Sequence, residues 1–193
     1  MTMEHSTSEP LSDRDRWNAR YRDGDEGGTP IMLGRDLHQF PRRGRGVDVA
    51  GGAGEAAAIL AARGVDMTVI DVSDVALARA AERAATARVE LTLLELDLTV
   101  DPFPPGPWDL ITCFNYLDRD LFPVWIGSLT PGGMLAVTLA TRRNLERHER
   151  PTERFLLDDG ELPSLLGGLE LVRIHEGWDL NGRHTASAIA RRV

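Results

Sequence analysis

The sequence predicts an α/β fold, in which a doubly wound, mostly parallel sheet of seven strands has helices on both faces and ends in an antiparallel hairpin. From Gly46 onward, short β-branched runs alternate with alanine-rich helical runs, a pattern typical of strand–helix–strand units. A glycine-rich turn, Gly51 to Gly54, directly follows the first strand-like run. Near the end of the chain, Asn181-Gly182 joins two strand-like runs, and this dipeptide favours a tight hairpin turn.

The first half of the pattern contains three strands and two helices. Val47 to Val49 is a short apolar run of the kind found in buried parallel strands. The alanine-rich run from Glu55 predicts a helix that ends before Gly64, and Ser73 is suited to cap the helix after it. The predicted elements are strands at 47–49, 66–70 and 89–96, and helices at 55–63 and from 73 to about 86.

The second half of the pattern begins with a proline-rich segment, Asp101 to Pro107, that excludes regular structure. Pro131-Gly-Gly133 predicts a turn in the middle of this half. The predicted elements are strands at 108–114, 134–140, 170–178 and 184–192, and helices at 118–128 and 162–166.

Length and composition predict one soluble domain. The chain has 193 residues, of which 42% are hydrophobic and 27% charged, and no apolar run approaches the roughly 20 residues that span a membrane. We expect a disordered tail at 1–12, a helical lid at 13–40, a cofactor-binding half at 46–140 and a substrate side with the closing hairpin at 141–193. The single cysteine, Cys113, lies in a strand-like run, which favours a reducing cytoplasm and a buried thiol.

Charge restricts the partners and the chemistry. The net charge of −8 disfavours a nucleic-acid surface over the whole protein. All 22 cationic side chains are arginines, so a lysine Schiff base is excluded. No Cys/His cluster has zinc-ligand spacing, and we predict no metal. The expected assembly is a monomer or a homodimer.

The glycine-rich turn and the acidic residues near it predict a cofactor site. In doubly wound sheets a ligand binds beyond the carboxyl ends of the strands, where the strand order reverses. Asp71 ends the second strand and can accept hydrogen bonds from ribose hydroxyls, and Asp97 ends the third and can accept from an adenine amino group. Asp48 lies inside the first strand, where burial without a partner is costly. A cation or the amides of the glycine turn are expected to satisfy it.

Two cofactor classes compete for such a turn. Dinucleotide-binding turns need Gly-x-Gly-x-x-Gly, but the position three residues beyond Gly52 is Glu55, whose carboxylate would repel a pyrophosphate. A Walker-type site is excluded because no Gly-Lys-Ser/Thr is present. S-adenosylmethionine carries an amino group and a sulfonium but no phosphate, so the residues favour it.

These motifs resemble those of class I S-adenosylmethionine-dependent methyltransferases. The run from Asp48 to Gly54 resembles their glycine-rich first motif, with Ala50 in place of the first glycine, and the segments around Asp71 and Asp97 resemble the ribose-binding and adenine-binding motifs. Further similar segments extend the resemblance over 47–139. The resemblance implies a Rossmann-like fold, S-adenosylmethionine as cofactor and S-adenosylhomocysteine as product. The cofactor-binding residues implied in this part of the chain are Asp48, Ala50, Gly51, Gly52, Gly54, Asp71, Val72, Asp97, Leu98 and Asn115.

A narrower resemblance is to small bacterial enzymes of the tellurite-resistance and thiopurine methyltransferase type. Those enzymes carry an N-terminal Trp-x-x-Arg-Tyr segment, matched here by Trp17-Asn-Ala-Arg20-Tyr21. In that group the helix folds over the cofactor, which implies that Trp17 and Tyr21 are cofactor-binding. Spacing alone puts these two rings on one helical face. A helix that merely packs on the domain fits the spacing equally well.

The acceptor side of the reaction is less specified. Methyl transfer is an in-line displacement whose reactivity comes from the cofactor, so no catalytic residue is predicted. Asn115-Tyr-Leu-Asp118 lacks the prolines of enzymes that methylate nucleobase amines. The candidates for the substrate pocket are Tyr116, Asp118, His148 and His175, and His184 is a further candidate base. An arginine run from Arg142 to Arg154 suggests the hypothesis of an anionic acceptor, with a solvated face as the alternative.

Four functions are consistent with these observations. The first is a methyltransferase for a small-molecule acceptor, and the second is one for RNA or protein, which the acidic charge disfavours. The third is a non-catalytic protein that binds S-adenosylmethionine. The fourth is a nicotinamide oxidoreductase.

Overall fold

The computed structural model describes residues 12–24 and 28–193, so the predicted tail lies outside it except for Ser12. Six helices are found in the described residues: α1 (Asp13–Arg22), α2 (Ile31–Asp36), α3 (Glu55–Ala61), α4 (Asp74–Ala87), α5 (Leu121–Ser128) and α6 (Leu162–Leu165). Seven strands accompany them: β1 (Arg45–Val49), β2 (Asp66–Asp71), β3 (Leu91–Glu95), β4 (Trp108–Phe114), β5 (Leu129–Ala140), β6 (Leu169–Trp178) and β7 (His184–Arg192). Short 3-10 helices cover Leu37–Gln39, Arg142–Glu146 and Glu153–Phe155. Among the described helices, none has the length and apolar character needed to cross a membrane.

The strands form one sheet in the order β3-β2-β1-β4-β5-β7-β6. The first five strands pair in parallel, and β7 pairs antiparallel with both β5 and β6. The predicted fold class is therefore confirmed, including the C-terminal antiparallel hairpin. The chain order reverses between β1 and β4, and a ligand is expected at this switch point.

Apolar residues cover both faces of the sheet. On one face, β1, β4, β5 and β7 pack against α5 and α6, with Phe122 and Trp125 at the centre. On the other face, Met32 and Leu33 of α2, Leu60 of α3 and Leu77 of α4 form a second buried cluster. Helices on both faces require buried strands, which explains why successive residues of β1 and β4 are buried.

Most predicted elements match the observed ones closely, and the largest difference is at β5. Strands β4 and β7 have the predicted bounds. Strand β5 begins at Leu129 rather than at 134, because Leu129 pairs with Trp108 and an irregularity in register follows. Pro131-Gly-Gly133 is thus accommodated within the strand instead of preceding it. A bulge of this kind absorbs residues that cannot make regular ladder bonds.

Helix α5 is shorter than predicted and begins at Leu121 instead of 118. The Asp118 carboxylate accepts a hydrogen bond from the Asp120 backbone N–H at 3.0 Å. Aspartate often makes this local turn in competition with a helix. The helix therefore starts only after the turn is complete.

Candidate cofactor and acceptor site

Asp71 connects the glycine-rich turn to the start of helix α4. Its Oδ2 accepts from the Gly52 N–H at 2.8 Å, and its Oδ1 accepts from the Ser73 N–H at 2.9 Å. The side chain is only 7% exposed. Burial raises the pKa of Asp71, and the hydrogen bonds from Ser73 and Gly52 oppose that rise. The turn and the helix are thereby fixed around one carboxyl group at the end of β2.

Asp48 accepts a hydrogen bond from a different donor than the sequence predicts. The Thr112 hydroxyl of β4 donates to Asp48 Oδ1 at 2.6 Å. The amides of the turn are used elsewhere, since Gly51 N–H donates to Ile70 O and Gly54 N–H to Gly51 O. The expectation that the turn amides satisfy Asp48 is therefore wrong. Burial raises the pKa of Asp48 to about 7, against the opposing hydrogen bond from Thr112.

The backbone of the turn explains its small residues. Ala50, Gly52 and Gly54 all have positive φ, at 49°, 55° and 71°. A Cβ atom on Gly54 would lie 2.9 Å from the Ala80 Cβ of α4, so Gly54 permits close helix packing. A Cβ on Gly52 would lie 2.2 Å from the Tyr21 hydroxyl oxygen. Gly52 therefore faces helix α1, whereas Gly54 faces the domain interior.

Helix α1 lies against the glycine-rich turn and α4. The rings of Trp17 and Tyr21 have centroids 6.2 Å apart, as expected for residues on one helical face. Asn18 is 5% exposed and bonds to both Ser73 and Asp74 at the start of α4. The N-terminal helix is thus attached at the edge of the sheet where a cofactor is expected.

Glu55 is paired, which the sequence argument did not anticipate. It makes an ion pair with Arg83, and the Thr29 hydroxyl donates to its Oε1 at 2.7 Å. Arg83 also donates to the Ala53 carbonyl of the turn at 2.9 Å. Because a cation offsets the Glu55 charge, Glu55 would repel a pyrophosphate less than the sequence suggests. Glu55 is therefore weaker evidence against a dinucleotide cofactor.

The segments that follow β3 and β4 reach the same edge of the sheet. Asp97 lies beyond β3, and its Oδ1 accepts from the Thr99 N–H at 3.0 Å and from the Thr99 hydroxyl at 2.6 Å. Leu98 packs on the apolar cluster of that face, and Val72 follows β2 directly and is half-buried. Asn115 directly follows β4 with a φ of 66°, and its N–H donates to Thr138 O at 2.8 Å.

Tyr116 is partly buried, and the negative charges of several carboxylates act on it. Burial raises the pKa of its phenol, and the negative charges of Asp118, Asp97 and Asp13 add to the effect. These three carboxylates come from the loop after β4, the loop after β3 and helix α1. The fold thus brings together the acidic residues that the sequence left far apart.

Most of the residues that form this site lie in a part of the chain that matches a known protein family. Residues 47–133 match the sequence model of a family described as "Methyltransferase domain". This match begins in β1 and covers the turn, Asp71, Asp97 and Asn115. This part of the chain therefore matches a methyltransferase domain, and enzymes with such domains use S-adenosylmethionine. A search by sequence against curated proteins found no significant match.

Solved structures share the fold of this methyltransferase at low identity. TehB from Haemophilus influenzae superposes with a TM-score of 0.72 at 17% identity, covering 93% of this chain and 67% of TehB. Magnesium protoporphyrin IX methyltransferase from Synechocystis PCC 6803, with bound S-adenosylhomocysteine, has a TM-score of 0.71 at 17% identity, covering 93% of this chain and 98% of that one. The [4+2]-cyclase SpnF has a TM-score of 0.62 at 18% identity, covering 84% and 78%.

The residues of the methyltransferase fit its cofactor chemically. Asp48 and Asp71 are buried carboxyls with raised pKa, and no ion pair with either is found in the described part of the chain. S-adenosylmethionine offers an ammonium, a sulfonium and ribose hydroxyls, which are cations and further donors for such carboxyls. Gly51 and Gly52 have no side chain of their own, and the Asp48 carboxylate and the Tyr21 hydroxyl lie close to them.

The candidate histidines have different surroundings. His148 donates from Nε2 to the Gly182 carbonyl of the β6–β7 hairpin at 2.7 Å. His184 is buried, with Nδ1 at 2.7 Å from the Thr141 hydroxyl. His175 is exposed on the edge strand β6. Three strand spacings of roughly 4.8 Å separate it from Phe114, so it lies about 14 Å from the end of β4 and is not brought to the glycine-rich turn.

The arginine run at 142–154 is largely neutralised by its own surroundings. Arg142 pairs with Glu153 and Asp158, and Arg143 pairs with Glu146. Arg147 lies over the Trp178 ring at 3.8 Å, and Arg154 over the Phe155 ring at 4.3 Å. These contacts favour the solvated face over the anionic-acceptor hypothesis.

Three residues with clear structural roles at the site were missed by sequence reasoning. Asn18 lies inside the N-terminal Trp-x-x-Arg-Tyr motif, but it occupies one of the unspecified positions, so the motif predicts no role for it. Thr112 could have been found, because it is the one hydroxyl in the apolar run Leu110-Ile-Thr-Cys-Phe and faces Asp48 in the parallel register of β1 and β4. Arg83, the partner of Glu55, had no signal in the sequence, since surface arginines are numerous here.

Proposed function

We propose that this methyltransferase transfers the methyl group of S-adenosylmethionine to a small-molecule acceptor by in-line displacement. The observation that carries the proposal is the position of α1, whose Tyr21 hydroxyl lies directly against Gly52. A cofactor held at this turn would lie beneath a helix, and a covered site admits a small acceptor more readily than a folded macromolecule. The net charge of −8 and the paired arginines also disfavour docking of RNA.

The residues of the site have separable proposed roles. Asp71 would hold the ribose hydroxyls, and Asp97 with Val72 and Leu98 would hold the adenine. Asp48 and the small residues Ala50, Gly51 and Gly52 would receive the methionine part, with Asn115 beside it and with Trp17 and Tyr21 closing over it. Gly54 serves this arrangement through helix packing.

The chemistry needs orientation more than it needs acid–base catalysis. The cofactor supplies a methyl group activated by a sulfonium, and the chain supplies alignment and exclusion of water. Tyr116 and Asp118 follow Asn115 in the loop after β4 and are the proposed acceptor contacts. The carboxylates around Tyr116 favour a neutral or cationic acceptor over an oxyanion. His148 stays a weaker candidate because its Nε2 is already bonded to Gly182.

The localisation and the oligomeric state of the enzyme are proposed from less specific observations. The only cysteine, Cys113, is buried and free, which suits a reducing cytoplasm. Nothing in the site requires a second subunit, so we propose that a monomer is active, with a homodimer as the alternative.

Turnover tests the proposal directly, and it is needed because SpnF shows that this fold also carries a [4+2] cyclisation. Formation of S-adenosylhomocysteine is measured with small amines, phenols, thiols, carboxylates and oxyanions, and in parallel with bulk tRNA and protein. The proposal predicts product with a small neutral or cationic acceptor. Product formed only with tRNA or protein, or no product from any acceptor, would contradict it.

A further inference from the structure

Asn18 links helix α1 to the loop that carries Asp71. Its side-chain Nδ2 donates to Asp74 Oδ1 at 2.7 Å, and its Oδ1 accepts from the Ser73 hydroxyl at 2.6 Å. The residue is almost completely buried between the two helices. Only an amide of this length supplies a donor and an acceptor to these two partners at once.

Ser73 passes this link on to the carboxyl group at the end of β2. Its backbone N–H donates to Asp71 Oδ1, and its hydroxyl oxygen accepts from the Ala76 N–H to cap helix α4. Ser73 is fully buried, so its bonds have no water to replace them. Asn18 therefore bonds to Ser73, which in turn bonds to Asp71.

The second oxygen of Asp71 leads back to the same helix. Asp71 Oδ2 accepts from the Gly52 N–H, and Tyr21 of α1 lies against Gly52. Helix α1 thus meets the network of Asp71 at two points, through Asn18 at the Ser73 side and through Tyr21 at the Gly52 side. The position of the helix and the orientation of the carboxyl group depend on each other.

We propose that Asn18 is a positioning residue, which couples docking of helix α1 to the orientation of Asp71 and so controls how tightly the cofactor is held. The inference rests on the proposed role of Asp71 toward the ribose. Asn18 itself touches Ser73 and Asp74 rather than the cofactor. Its loss should weaken S-adenosylmethionine and S-adenosylhomocysteine alike and speed their dissociation, because both carry the same ribose.

The test compares Asn18→Ala with Asn144→Ala. Asn144 is a matched control because it is equally buried and bonds to the Arg150 carbonyl and the His184 N–H, away from Asp71. Urea unfolding measures the structural cost of each variant, while calorimetry and stopped-flow tryptophan fluorescence measure affinity and dissociation of S-adenosylhomocysteine. We expect Asn18→Ala to raise Kd roughly tenfold, as for loss of a buried hydrogen-bond network, and Asn144→Ala to leave Kd unchanged.

A charge-swapped pair separates positioning from general destabilisation. Asn18→Asp places two carboxylates together and should weaken binding as Asn18→Ala does. Combining it with Asp74→Asn reverses the hydrogen bond and should restore Kd to within about threefold of the original protein. Equal Kd values for Asn18→Ala and Asn144→Ala, or no rescue by the swap, would overturn the inference. Failure of the unmodified protein to bind S-adenosylhomocysteine would instead overturn the proposed function.

Discussion

At the scale of single residues, two buried carboxyl groups determine the electrostatic character of the site. Asp48 is 1% exposed and accepts a hydrogen bond from a neutral hydroxyl, that of Thr112. A neutral donor offsets only part of the cost of removing a carboxylate from water. The pKa of Asp48 therefore rises to about 7, where a small change in pH alters its charge.

This shift predicts how stability depends on pH in the absence of cofactor. Between about pH 4 and pH 7 the folded protein keeps a proton on Asp48 that the unfolded chain has released, so stability falls as pH rises through this range. Asp48→Asn removes this dependence and keeps an acceptor for Thr112. The free energy of unfolding of the variant, relative to that of the original protein, should rise by about 2 to 3 kcal/mol from pH 5 to pH 8. Urea unfolding at each pH measures it.

Asp66→Asn is the control for that measurement, because Asp66 is an exposed aspartate at the start of β2. It should leave the pH profile of the original protein in place. A profile of Asp48→Asn parallel to that of the original protein would show that Asp48 is not the group responsible.

Gly52 gives a second prediction at this scale. Gly52→Ala puts a methyl group at positive φ and 2.2 Å from the Tyr21 hydroxyl oxygen, so it should cost about 1 to 2 kcal/mol and abolish binding of S-adenosylmethionine. Gly182→Ala is a matched control with a φ of +73° and open space around it. It should lower stability and leave affinity unchanged in calorimetry.

Adding Tyr21→Phe to Gly52→Ala distinguishes the two causes of lost binding. The double variant removes the contact with the hydroxyl and should recover part of the stability. Affinity should stay lost, because the methyl group still occupies the space proposed for the cofactor. Recovered affinity would mean that Gly52 serves only the packing of α1.

Residue types were easier to predict from the sequence than their partners. Asp48, Asp71 and Asp97 stand next to predicted strand ends, so their location at one edge follows from the topology. Thr112 and Arg83 are distant in sequence from Asp48 and Glu55, and only the strand register and helix packing bring them together. The contact of Arg83 with Glu55 leaves no local pattern, whereas Thr112 stands out as the one hydroxyl in an apolar run.

At the scale of elements, helix α5 depends on the last strand for its C-terminal end. The Arg192 guanidinium of β7 donates to the carbonyls of Gly127 at 3.0 Å and Leu129 at 2.5 Å. The last carbonyls of a helix lack partners within the helix, and a cation there is favourable. Strand β7 thus stabilises the connection between α5 and β5.

This contact predicts a difference between two adjacent arginines. Arg192→Met keeps the aliphatic length but loses the donors, and should cost about 1 to 2 kcal/mol in urea unfolding. Arg191→Met, at the exposed neighbouring position, should stay within about 0.5 kcal/mol of the original protein. Equal effects of the two substitutions would argue against a specific role for Arg192.

The bounds of strands and helices are hard to predict where tertiary contacts override the local sequence pattern. Strand β4 could be predicted because apolar β-branched residues run between a proline-rich segment and Asn115. Strand β5 could not be bounded, because Pro131-Gly-Gly133 is a turn signal and the pairing of Leu129 with Trp108 overrides it. The position of α1 on α4 was beyond prediction for the same reason, since it rests on Asn18 bonding to residues 55 and 56 positions away.

At the scale of the whole molecule, one sheet organises both the cofactor side and the acceptor side. The strand order places the turn after β1 next to the loop after β4, while the antiparallel β7 closes the sheet beyond β5. The alternation of strands and helices was sufficient to predict a mostly parallel, doubly wound sheet with a closing antiparallel hairpin. The acceptor was not predictable, because the proposed acceptor contacts, Tyr116 and Asp118, lie in the loop after β4, where no local pattern specifies a ligand.

The central claim is that the turn from Asp48 to Gly54 holds a sulfonium cofactor rather than a dinucleotide. Calorimetric titration of the purified protein with S-adenosylmethionine, S-adenosylhomocysteine and NAD tests it most directly. The structure predicts binding of the first two with a stoichiometry of about one per chain and no detectable heat with NAD. Binding of NAD without binding of either sulfur compound would contradict the claim.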